Sequence, residues 1–383
     1  MPIWSFPTRV VFGKGTIGSI GEEARRLGKS HALVVVDPGI LAAKLHEPVV
    51  RGREAGHVRA TIFSGVDPNP VEKNVRDGAE AYRAAGADFI VSVGGGSPLD
   101  AAKIIALKAI PGAHERPLVD YDDATGGDAY VTDNLPPIIA VPTTAGTGSE
   151  VGRSGVIVLD ENHRKTVIFS PHFLAKVAIL DPELTVSMPP RITAATGFDA
   201  LTHCLEAYVS LGDHPMADAI ALGGLRLCAA HLVRAVTHPK DLDARGGMMK
   251  AAMMGAVAFQ KGLGACHSLA HPLSSENGLH HGLANALCLP AVVEHNAHEA
   301  SAKARFVDVG HALGAPGDGQ RLADWLRNLR HELGLPVGLA SEGVKTEQLD
   351  KLADKAFEDA CHRSNPRPCT RDDLLAMYRA SMA

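Results

Sequence analysis

The chain has few aromatic residues and no concentrated charge. Aromatic side chains make up 4% of its 383 residues, and 38 basic residues nearly balance 43 acidic ones, for a net charge of -5. The absence of a lysine- and arginine-rich block argues against binding to nucleic acid or to an anionic membrane. No uninterrupted apolar run is as long as the about eighteen residues that a membrane-spanning helix needs. The N-terminus lacks the pattern of a signal peptide. We therefore expect a cytoplasmic protein without nucleic-acid or membrane partners.

Paired cysteines are also missing. The six cysteines form no CxxC motif, which favours free thiols in a reducing compartment. What is present is an ordinary globular composition, 45% hydrophobic and 21% charged, in a chain long enough for two domains.

The first half of the chain alternates strand-like and helix-like segments. Continuous apolar runs are typical of strands buried on both faces, so the pattern predicts a parallel sheet covered by helices. We assign residues 1–185 to this α/β domain. The expected strands are 8–12, 31–37, 60–63, 88–93, 137–141 and 177–180, with helices at 17–27 and 74–85 and a hairpin formed by 156–158 and 166–169 around 160–163.

The second half changes character at about residue 186. Strand-like runs give way to long segments rich in Ala, Leu and Met, such as 217–236 and 246–258. This composition predicts an all-α domain over residues 186–383.

One stretch of the second half, Thr196–Tyr208, carries a potential metal site. Asp199 and His203 are four residues apart, so they share one face of the predicted helix. A carboxylate with two or three histidines suits Fe(II), Zn(II) or Mn(II). Spacing alone leaves open which histidines would bind, and an Asp/His pair can equally be a surface or capping pair. The candidates are His203, His267, His271, His280 and His281.

Two glycine motifs compete for a phosphate group. Gly13–Gly18 fits G-x-G-x-x-G between a strand and a helix, and Asp37 ends the next strand at the spacing of a ribose-binding carboxylate. The second motif, Gly94-Gly95-Gly96-Ser97-Pro98, also follows a buried strand and opens a helix, with Ser97 as the expected N-cap and Pro98 as the first helical residue. A polar loop at 142–150 leaves another strand end.

Four long motifs together resemble the iron-containing (group III) alcohol dehydrogenases. They are Gly94–Lys103, Pro142–Val151, Ala195–His203 and the glycine- and histidine-rich Gly262–Gly282, in this order. The resemblance extends over essentially the whole chain. It implies an N-terminal Rossmann-like nucleotide-binding domain, an all-α C-terminal metal domain, and a cleft between them.

The resemblance also implies a role for individual residues. The metal ligands would be Asp199, His203, His267 and His281, with Fe(II) as the metal and Zn(II) as the alternative. His271 would assist proton transfer, either alone or with His280 as a second residue that passes the proton to solvent.

For the cofactor, the family pattern places the pyrophosphate at Gly95, Gly96 and Ser97, which makes Gly13–Gly18 a structural turn. A carboxylate at Asp37 would accept bonds from a ribose 2′-hydroxyl and repel a 2′-phosphate, so we expect NAD rather than NADP. The further cofactor residues are Asn69, Asp100, Thr143, Thr144, Thr147 and Lys165.

The expected activity is reversible hydride transfer between NAD(H) and a primary alcohol or aldehyde, with ω-hydroxy acids such as 4-hydroxybutyrate among the candidates. Arg153 could bind a substrate carboxylate, or it could be a structural arginine. Two alternatives are a metal-independent NADH reductase of the maleylacetate reductase type and a non-catalytic nucleotide or metal sensor. The resemblance further implies a homodimer or larger homo-oligomer.

Overall fold

The computed structural model describes residues 8–54, 57–113, 115–161, 165–315 and 317–383. These described residues divide into two compact units. Of the described residues, an α/β unit contains 8–144 and Ser149–Thr185, and a helical unit contains Ala145–Gly148 and Val186–Ala383. Positions 162 and 163, at the tip of the predicted hairpin, lie outside the described residues.

The α/β unit is built on a parallel sheet. The strands of this unit are β1 (Arg9–Phe12), β2 (His31–Val35), β3 (Arg59–Phe63), β4 (Phe89–Gly94), β5 (Ile138–Pro142), β6 (Ser154–Val158), β7 (Lys165–Phe169) and β8 (Val177–Leu180). Within the described residues, six of them form one sheet in the order β1-β8-β5-β4-β2-β3, and all its pairs are parallel. β6 and β7 form the expected antiparallel hairpin.

Helices cover both faces of the parallel sheet. They are α1 (Ile20–Arg26), α2 (Pro38–Ala42), α3 (Glu47–Glu54), α4 (Glu72–Ala85) and α5 (Gly96–Ala109). Leu33 and Val35 of β2 belong to one buried cluster, whereas Val34 belongs to another. Successive residues of a strand point to opposite faces, so this division shows an apolar core on each side. The predicted α/β fold class is confirmed, although the segment predicted as one helix at 17–27 begins as a 3-10 turn, Thr16–Ser19.

The order of the strands determines where a ligand can bind. β2 connects outward to β3, whereas β4 connects in the opposite direction to β5. In open α/β sheets, ligands bind outside the carboxyl ends of the strands at such a reversal. β2 and β4 are neighbours with Val35 opposite Ser92, so Asp37 and the glycine motif at 94–96 follow adjacent strand ends.

The second unit is helical over its described residues. Its helices are α6 (Pro190–Val209), α7 (Pro215–Thr237), α8 (Leu242–Ala258), α9 (Ala265–Asn277), α10 (His281–Asn296), α11 (Ala300–Leu313), α12 (Gly319–Glu332), α13 (Leu349–Glu358) and α14 (Arg371–Ala380). α6 is central, because it packs against α7, α8, α10 and α11. Segment Ala145–Gly148 joins this unit as well: a Cβ atom added at Gly148 would lie 2.6 Å from Ala252 O on α8.

α7 is the one helix among the described residues that is long and apolar enough to cross a membrane, with a mean hydropathy of 1.5. Asp218 and Arg226 interrupt it, so the sequence contains no continuous apolar run there. Helix α7 packs against α6, α8 and α11, and 39% of its most apolar window is buried.

Candidate metal centre and cofactor loops

Helix α6 presents three polar side chains on one buried face. Asp199, His203 and Glu206 follow each other at the i, i+4 and i+7 positions of a helical stripe, and each is at most 5% exposed. Proline at the first helical position starts this helix. Buried polar groups require partners, so the contacts of this stripe define the site.

Nitrogen and oxygen atoms from three helices converge on Asp199. Its Oδ1 lies 3.9 Å from His203 Nε2 and 3.7 Å from His281 Nε2. Donor atoms of Asp199, His203 and His267 all lie within 4.8 Å of one another. His281 is on the edge of this group and stacks against His271, with ring centroids 5.2 Å apart.

Glu206 orients His267. Its Oε2 lies 2.6 Å from His267 Nδ1, while its Oε1 accepts a hydrogen bond from Cys266 N at 2.7 Å. Burial acts to lower the pKa of His267, but the carboxylate of Glu206 outweighs it and raises that pKa. A hydrogen on Nδ1 leaves the lone pair of the neutral ring on Nε2, the atom available to a metal.

Asn285 joins the converging groups through its amide. Nδ2 donates to Asp199 Oδ1 at 2.8 Å and lies 3.4 Å from His267 Nε2 and 3.3 Å from His281 Nε2. Its full burial makes Asn285 a fixed support for the carboxylate. Asn285 was not predicted from the sequence, although its position four after His281 places both on one face of α10.

The donor set fits a divalent metal ion. Burial lowers the pKa of His203 to about 4, so its ring is neutral, as a metal ligand must be. In a tetrahedral site with bonds of about 2.1 Å, two ligand atoms are about 3.4 Å apart. The separations of 3.7 and 3.9 Å around Asp199 are close to this value, and three imidazoles with one carboxylate suit Fe(II) or Zn(II).

Small residues allow the helices to approach at this centre. A Cβ atom at Gly282 would lie 2.1 Å from Ala195 O on α6 and 3.0 Å from the Cβ of Asp199. A Cβ atom at Gly255 on α8 would lie 2.9 Å from the Cβ of His203. The glycines therefore permit the backbone distances at which the candidate ligand side chains meet.

His271 is held by the carboxylate of Asp359, a residue that was not predicted from the sequence. Its Nδ1 lies 2.8 Å from Asp359 Oδ2, and Ser268 Oγ donates to Asp359 Oδ1 at 2.7 Å. Burial acts to raise the pKa of Asp359, but the His271 ring and these hydrogen bonds hold it well below its usual range. The ionised carboxylate keeps the hydrogen of the neutral ring on Nδ1, so Nε2 can accept a proton.

In the α/β unit, the second glycine motif forms the sharp turn between β4 and α5. Gly94 has φ 150 and a Cβ there would lie 2.7 Å from Pro98 Cγ, so only glycine fits. Gly95 is the N-cap, and no side chain caps this end of α5. The first N–H groups of α5 therefore lack an intrahelical or capping partner among the described residues, which is the arrangement that binds phosphate.

Ser97 differs from the prediction. It is the second residue of α5 rather than its N-cap, and its Oγ donates to Pro68 O at 2.5 Å. The carbonyl of the neighbouring loop is a close acceptor, so the hydroxyl connects that loop to the glycine turn. The exposed Asn69 follows Pro68 directly, which places it beside the turn.

The other predicted cofactor residues are divided between several segments. Thr143 N donates to Gly94 O at 2.9 Å, and a Cβ at Gly95 would lie 3.3 Å from Thr144 Cγ2, so these threonines adjoin the glycine turn. Asp37 caps α2 by accepting a hydrogen bond from Ile40 N at 2.8 Å. Lys165 begins β7, and Thr147 belongs to the helical unit.

Asp100 makes internal hydrogen bonds. It accepts from Ser149 Oγ at 2.6 Å and from Val156 N at 3.2 Å. Lys103 Nζ donates to the same Ser149 hydroxyl at 2.7 Å. Burial raises the pKa of Asp100, against the opposing effect of Lys103. These bonds fasten the start of β6 and the turn before it to α5, and a cofactor contact by Asp100 stays a prediction.

The competing motif at Gly13–Gly18 has no room for an anion at its helix start. Ile17 N donates to Asp181 Oδ2 at 3.1 Å, and Gly13 N donates to Leu180 O. The protein's own carboxylate thus takes the position that a phosphate would need. β1 also lies at the edge of the sheet, away from the reversal between β2 and β4.

Arg153, the candidate carboxylate ligand, lies over the ring of Phe169 at 5.1 Å from its centroid. Burial lowers its pKa. His280 precedes α10 and is exposed.

Comparison with known proteins identifies the family. The N-terminal model of the iron-containing alcohol dehydrogenases matches residues 7–182, and the C-terminal model of the Fe-containing alcohol dehydrogenase family matches residues 193–382. The chain is 41% identical to the 4-hydroxybutyrate dehydrogenase of Cupriavidus necator, over 98% of both chains. A crystal structure of 1,3-propanediol oxidoreductase superposes with a TM-score of 0.94 at 36% identity, covering 100% of both chains. The sulfoacetaldehyde reductase of Bifidobacterium kashiwanohense, solved with NAD+, has a TM-score of 0.89 at 30% identity, again over 100% of both chains.

The protein belongs to the iron-containing alcohol dehydrogenase family. It is an oxidoreductase that acts on alcohols.

Proposed function

We propose that the protein transfers hydride reversibly between NAD(H) and a primary alcohol or its aldehyde, with a divalent metal held by Asp199, His203, His267 and His281. The observation that carries this proposal is the convergence of two imidazole Nε2 atoms on Asp199 Oδ1, with His267 in the same group. When bound there, Fe(II), or Zn(II) as the alternative, supplies Lewis acidity that lowers the pKa of an alcohol hydroxyl.

The chain's own residues prepare this chemistry. Glu206 fixes the tautomer of His267, and Asn285 positions the Asp199 carboxylate. His271 accepts the hydroxyl proton at Nε2, because Asp359 holds the hydrogen of the neutral ring at Nδ1.

We expect His271→Ala to lower kcat by about 100-fold or more, because a positioned general base contributes at least that factor. Added imidazole should restore part of the rate in this variant. Asp359→Asn should lower kcat less and should not respond to imidazole, since the ring is still present. His280→Ala is the matched histidine variant: a loss in it equal to that in His271→Ala, with the same rescue, would assign the proton to His280 instead.

NAD is the proposed cofactor, with its pyrophosphate on the N–H groups of Gly95, Gly96 and Ser97. The uncapped start of α5 and the Asp37 carboxylate at the neighbouring strand end support this assignment. When bound there, NAD would supply a nicotinamide ring that accepts or donates hydride.

We expect Asp37→Asn to raise the ratio of kcat/KM for NADP over NAD by about 30-fold, or about 2 kcal/mol, because a carboxylate repels the 2′-phosphate. Asparagine still caps a helix well, so α2 should be preserved. Asp88→Asn is the control, because Asp88 bonds Ser30 and His31 at the opposite end of the strands. An unchanged ratio in Asp37→Asn would remove the proposed contact with the ribose.

The substrate class we propose is the ω-hydroxy acids, represented by 4-hydroxybutyrate. The 41% identical relative is named for this substrate, and Arg153 offers a partly buried guanidinium that could pair with a carboxylate. Other relatives are named for the neutral 1,3-propanediol, so the choice depends on a direct comparison.

The deciding experiment follows NADH formation by anaerobically prepared, Fe(II)-loaded enzyme with 4-hydroxybutyrate, 1-butanol and 1,3-propanediol. A preference for the acid that is lost in Arg153→Ala supports a carboxylate-binding pocket. Equal or better turnover of the neutral alcohols would replace the hydroxy-acid assignment with a general alcohol dehydrogenase. Failure to form NADH with a broad panel of alcohols and hydroxy acids would favour a non-catalytic sensor.

A further inference from the structure

A second cluster of metal-binding side chains lies beside the first. Donor atoms of His271, Asp359 and Cys361 all lie within 4.8 Å of one another. His271 is on α9, Asp359 follows the end of α13, and Cys361 begins a 3-10 turn, Cys361–Ser364. Asp359 and Cys361 are outside the ligand set proposed above.

The carboxylate of Asp359 organises this cluster. Its Oδ2 lies 2.8 Å from His271 Nδ1, and its Oδ1 accepts from Cys361 N at 2.8 Å. The Cys361 thiol also makes a side-chain hydrogen bond to Asp359. The imidazole Nδ1 and the thiol therefore both face the same carboxylate, and each contact is made through a hydrogen that a metal ion can replace.

We propose that His271 Nδ1, a carboxylate oxygen of Asp359 and Cys361 Sγ form a second metal site, which takes a thiophilic divalent ion such as Zn(II) or Cd(II) and inhibits the enzyme when occupied. One nitrogen, one oxygen and one sulfur are ligands that zinc accepts, and water can complete a tetrahedral site. The primary site offers no sulfur among its proposed ligands, so the two sites differ in the ions they prefer.

The dimensions agree with such a site. Zinc bonds of about 2.0 Å to nitrogen or oxygen and about 2.3 Å to sulfur separate tetrahedral ligand atoms by about 3.3 to 3.5 Å. His271 Nδ1 and Asp359 Oδ2, which are 2.8 Å apart, would move slightly apart on metal binding. The other pairs of ligand atoms, which lie within 4.8 Å of one another, would move closer together. The side chains of His271 and Asp359 are 25% and 21% exposed, so an ion from solvent can reach them.

Binding releases one proton. The ion replaces the thiol hydrogen of Cys361, which passes to solvent, and it displaces the hydrogen of His271 from Nδ1, which the ring regains at Nε2. Burial raises the pKa of the Cys361 thiol well above its usual value, so the thiol is protonated until an ion with a strong preference for thiolate displaces the hydrogen. This requirement favours Zn(II) and Cd(II) over Mg(II) or Ca(II), which prefer oxygen ligands.

Occupation would stop proton transfer through His271. A neutral imidazole that binds a metal through Nδ1 carries its hydrogen on Nε2, so Nε2 can no longer accept the proton of the substrate. This inhibitory effect rests on the proposed function of His271, whereas ion binding by the cluster does not.

The test begins with binding. Cd(II) is titrated anaerobically into the Fe(II)-loaded enzyme, and the ultraviolet thiolate-to-cadmium charge-transfer band is recorded. We expect a band that saturates at one ion per chain, disappears in Cys361→Ser and weakens in Asp359→Asn. Cys369→Ser is the matched control, because Cys369 also has a histidine nearby, with Sγ 3.7 Å from His295 Nε2. A band that persists in Cys361→Ser or disappears in Cys369→Ser, or no band at all, overturns the proposed site.

Inhibition is measured separately with Zn(II), relative to the activity of each variant without zinc, while iron content is determined in the same samples. Loss of a ligand should raise the zinc concentration for half-inhibition by more than about 100-fold in Cys361→Ser, since even partners outside the ligand set affect metal affinity by 10- to 100-fold. Equal inhibition of wild type and Cys361→Ser, with loss of iron, would place the zinc effect at the primary site and overturn the inhibitory role. A cadmium band in a protein that oxidises no alcohol would retain the second site and reject the proposed function.

Discussion

The variant Asp199→Asn is expected to fold, to retain little iron after purification, and to oxidise alcohols at least about 1000-fold more slowly, equivalent to about 4 kcal/mol. Asparagine has nearly the same shape, and its carbonyl oxygen can still accept the hydrogen bond from Asn285. The variant lacks the negative charge that complements a divalent ion among neutral imidazoles. Iron per chain and kcat/KM for the preferred alcohol are the measurements.

A second buried carboxylate provides the control for this variant. Asp181 is fully buried and accepts a hydrogen bond from Ile17 N in the α/β unit, so Asp181→Asn should retain its iron. If Asp199→Asn loses its metal but keeps full turnover, the metal-dependent mechanism is wrong. That outcome would favour the metal-independent reductase of the maleylacetate reductase type.

The variant Gly282→Ala is expected to lose stability and metal together. The added methyl group would lie 2.1 Å from Ala195 O and 3.0 Å from the Cβ of Asp199. Backbone atoms cannot move aside as a flexible side chain can, so α10 must shift away from α6 and carry His281 with it. Overpacking of this kind costs about 1 to 3 kcal/mol or more. The temperature of thermal unfolding and the iron content per chain should both decrease.

Gly223→Ala tests whether any added methyl group in the helical unit has this effect. Its Cβ would meet only the terminal Cε of Met254, at 2.6 Å, and that side chain can rotate away. Alanine is also the better helix former inside α7. The control should therefore keep its iron and its unfolding temperature. A Gly282→Ala protein with normal stability and iron content would show that the close approach of α6 and α10 is not required.

The strands could be predicted because their signal is local. β2 and β4 are continuous apolar segments, and a strand buried on both faces needs such a run whatever its neighbours are. The hairpin of β6 and β7 was found for a related reason, because both strands are short and apolar with a polar turn between them. The order of strands in the sheet was not predicted, since it depends on how the connections pass across the sheet.

The supporting residues of the metal centre are harder to find in a sequence. Glu206 is 61 positions from His267, Asn285 is 86 from Asp199, and Asp359 is 88 from His271. No periodic pattern joins residues at these separations. Two of these residues have a local signal: Glu206 continues the stripe of Asp199 and His203 on α6, and Asn285 lies four residues after His281 on α10. The proposed metal ligands were selected by resemblance to a family, since five histidines were compatible with the spacing.

The two glycine motifs show why spacing can mislead. Gly13–Gly18 satisfies the pattern, but Asp181 from a distant part of the chain satisfies the N–H group of Ile17. The prediction of Ser97 as an N-cap was wrong for a similar reason, because the carbonyl of Pro68 was an acceptor that the local sequence did not reveal. Both errors concern hydrogen-bond partners that are remote in sequence.

The assignment of Ala145–Gly148 to the helical unit bears on how the protein could be divided for expression. A fragment that ends at Thr185 would retain these four residues without Thr196 and Ala252, beside which Gly146 and Gly148 lie. A fragment that begins at Val186 would lack residues 145–148, and the space that they fill beside Thr196 and Ala252 would be empty. Neither fragment therefore contains a complete structural unit. Domain exchange between relatives should transfer the loop at 145–148 together with the helices.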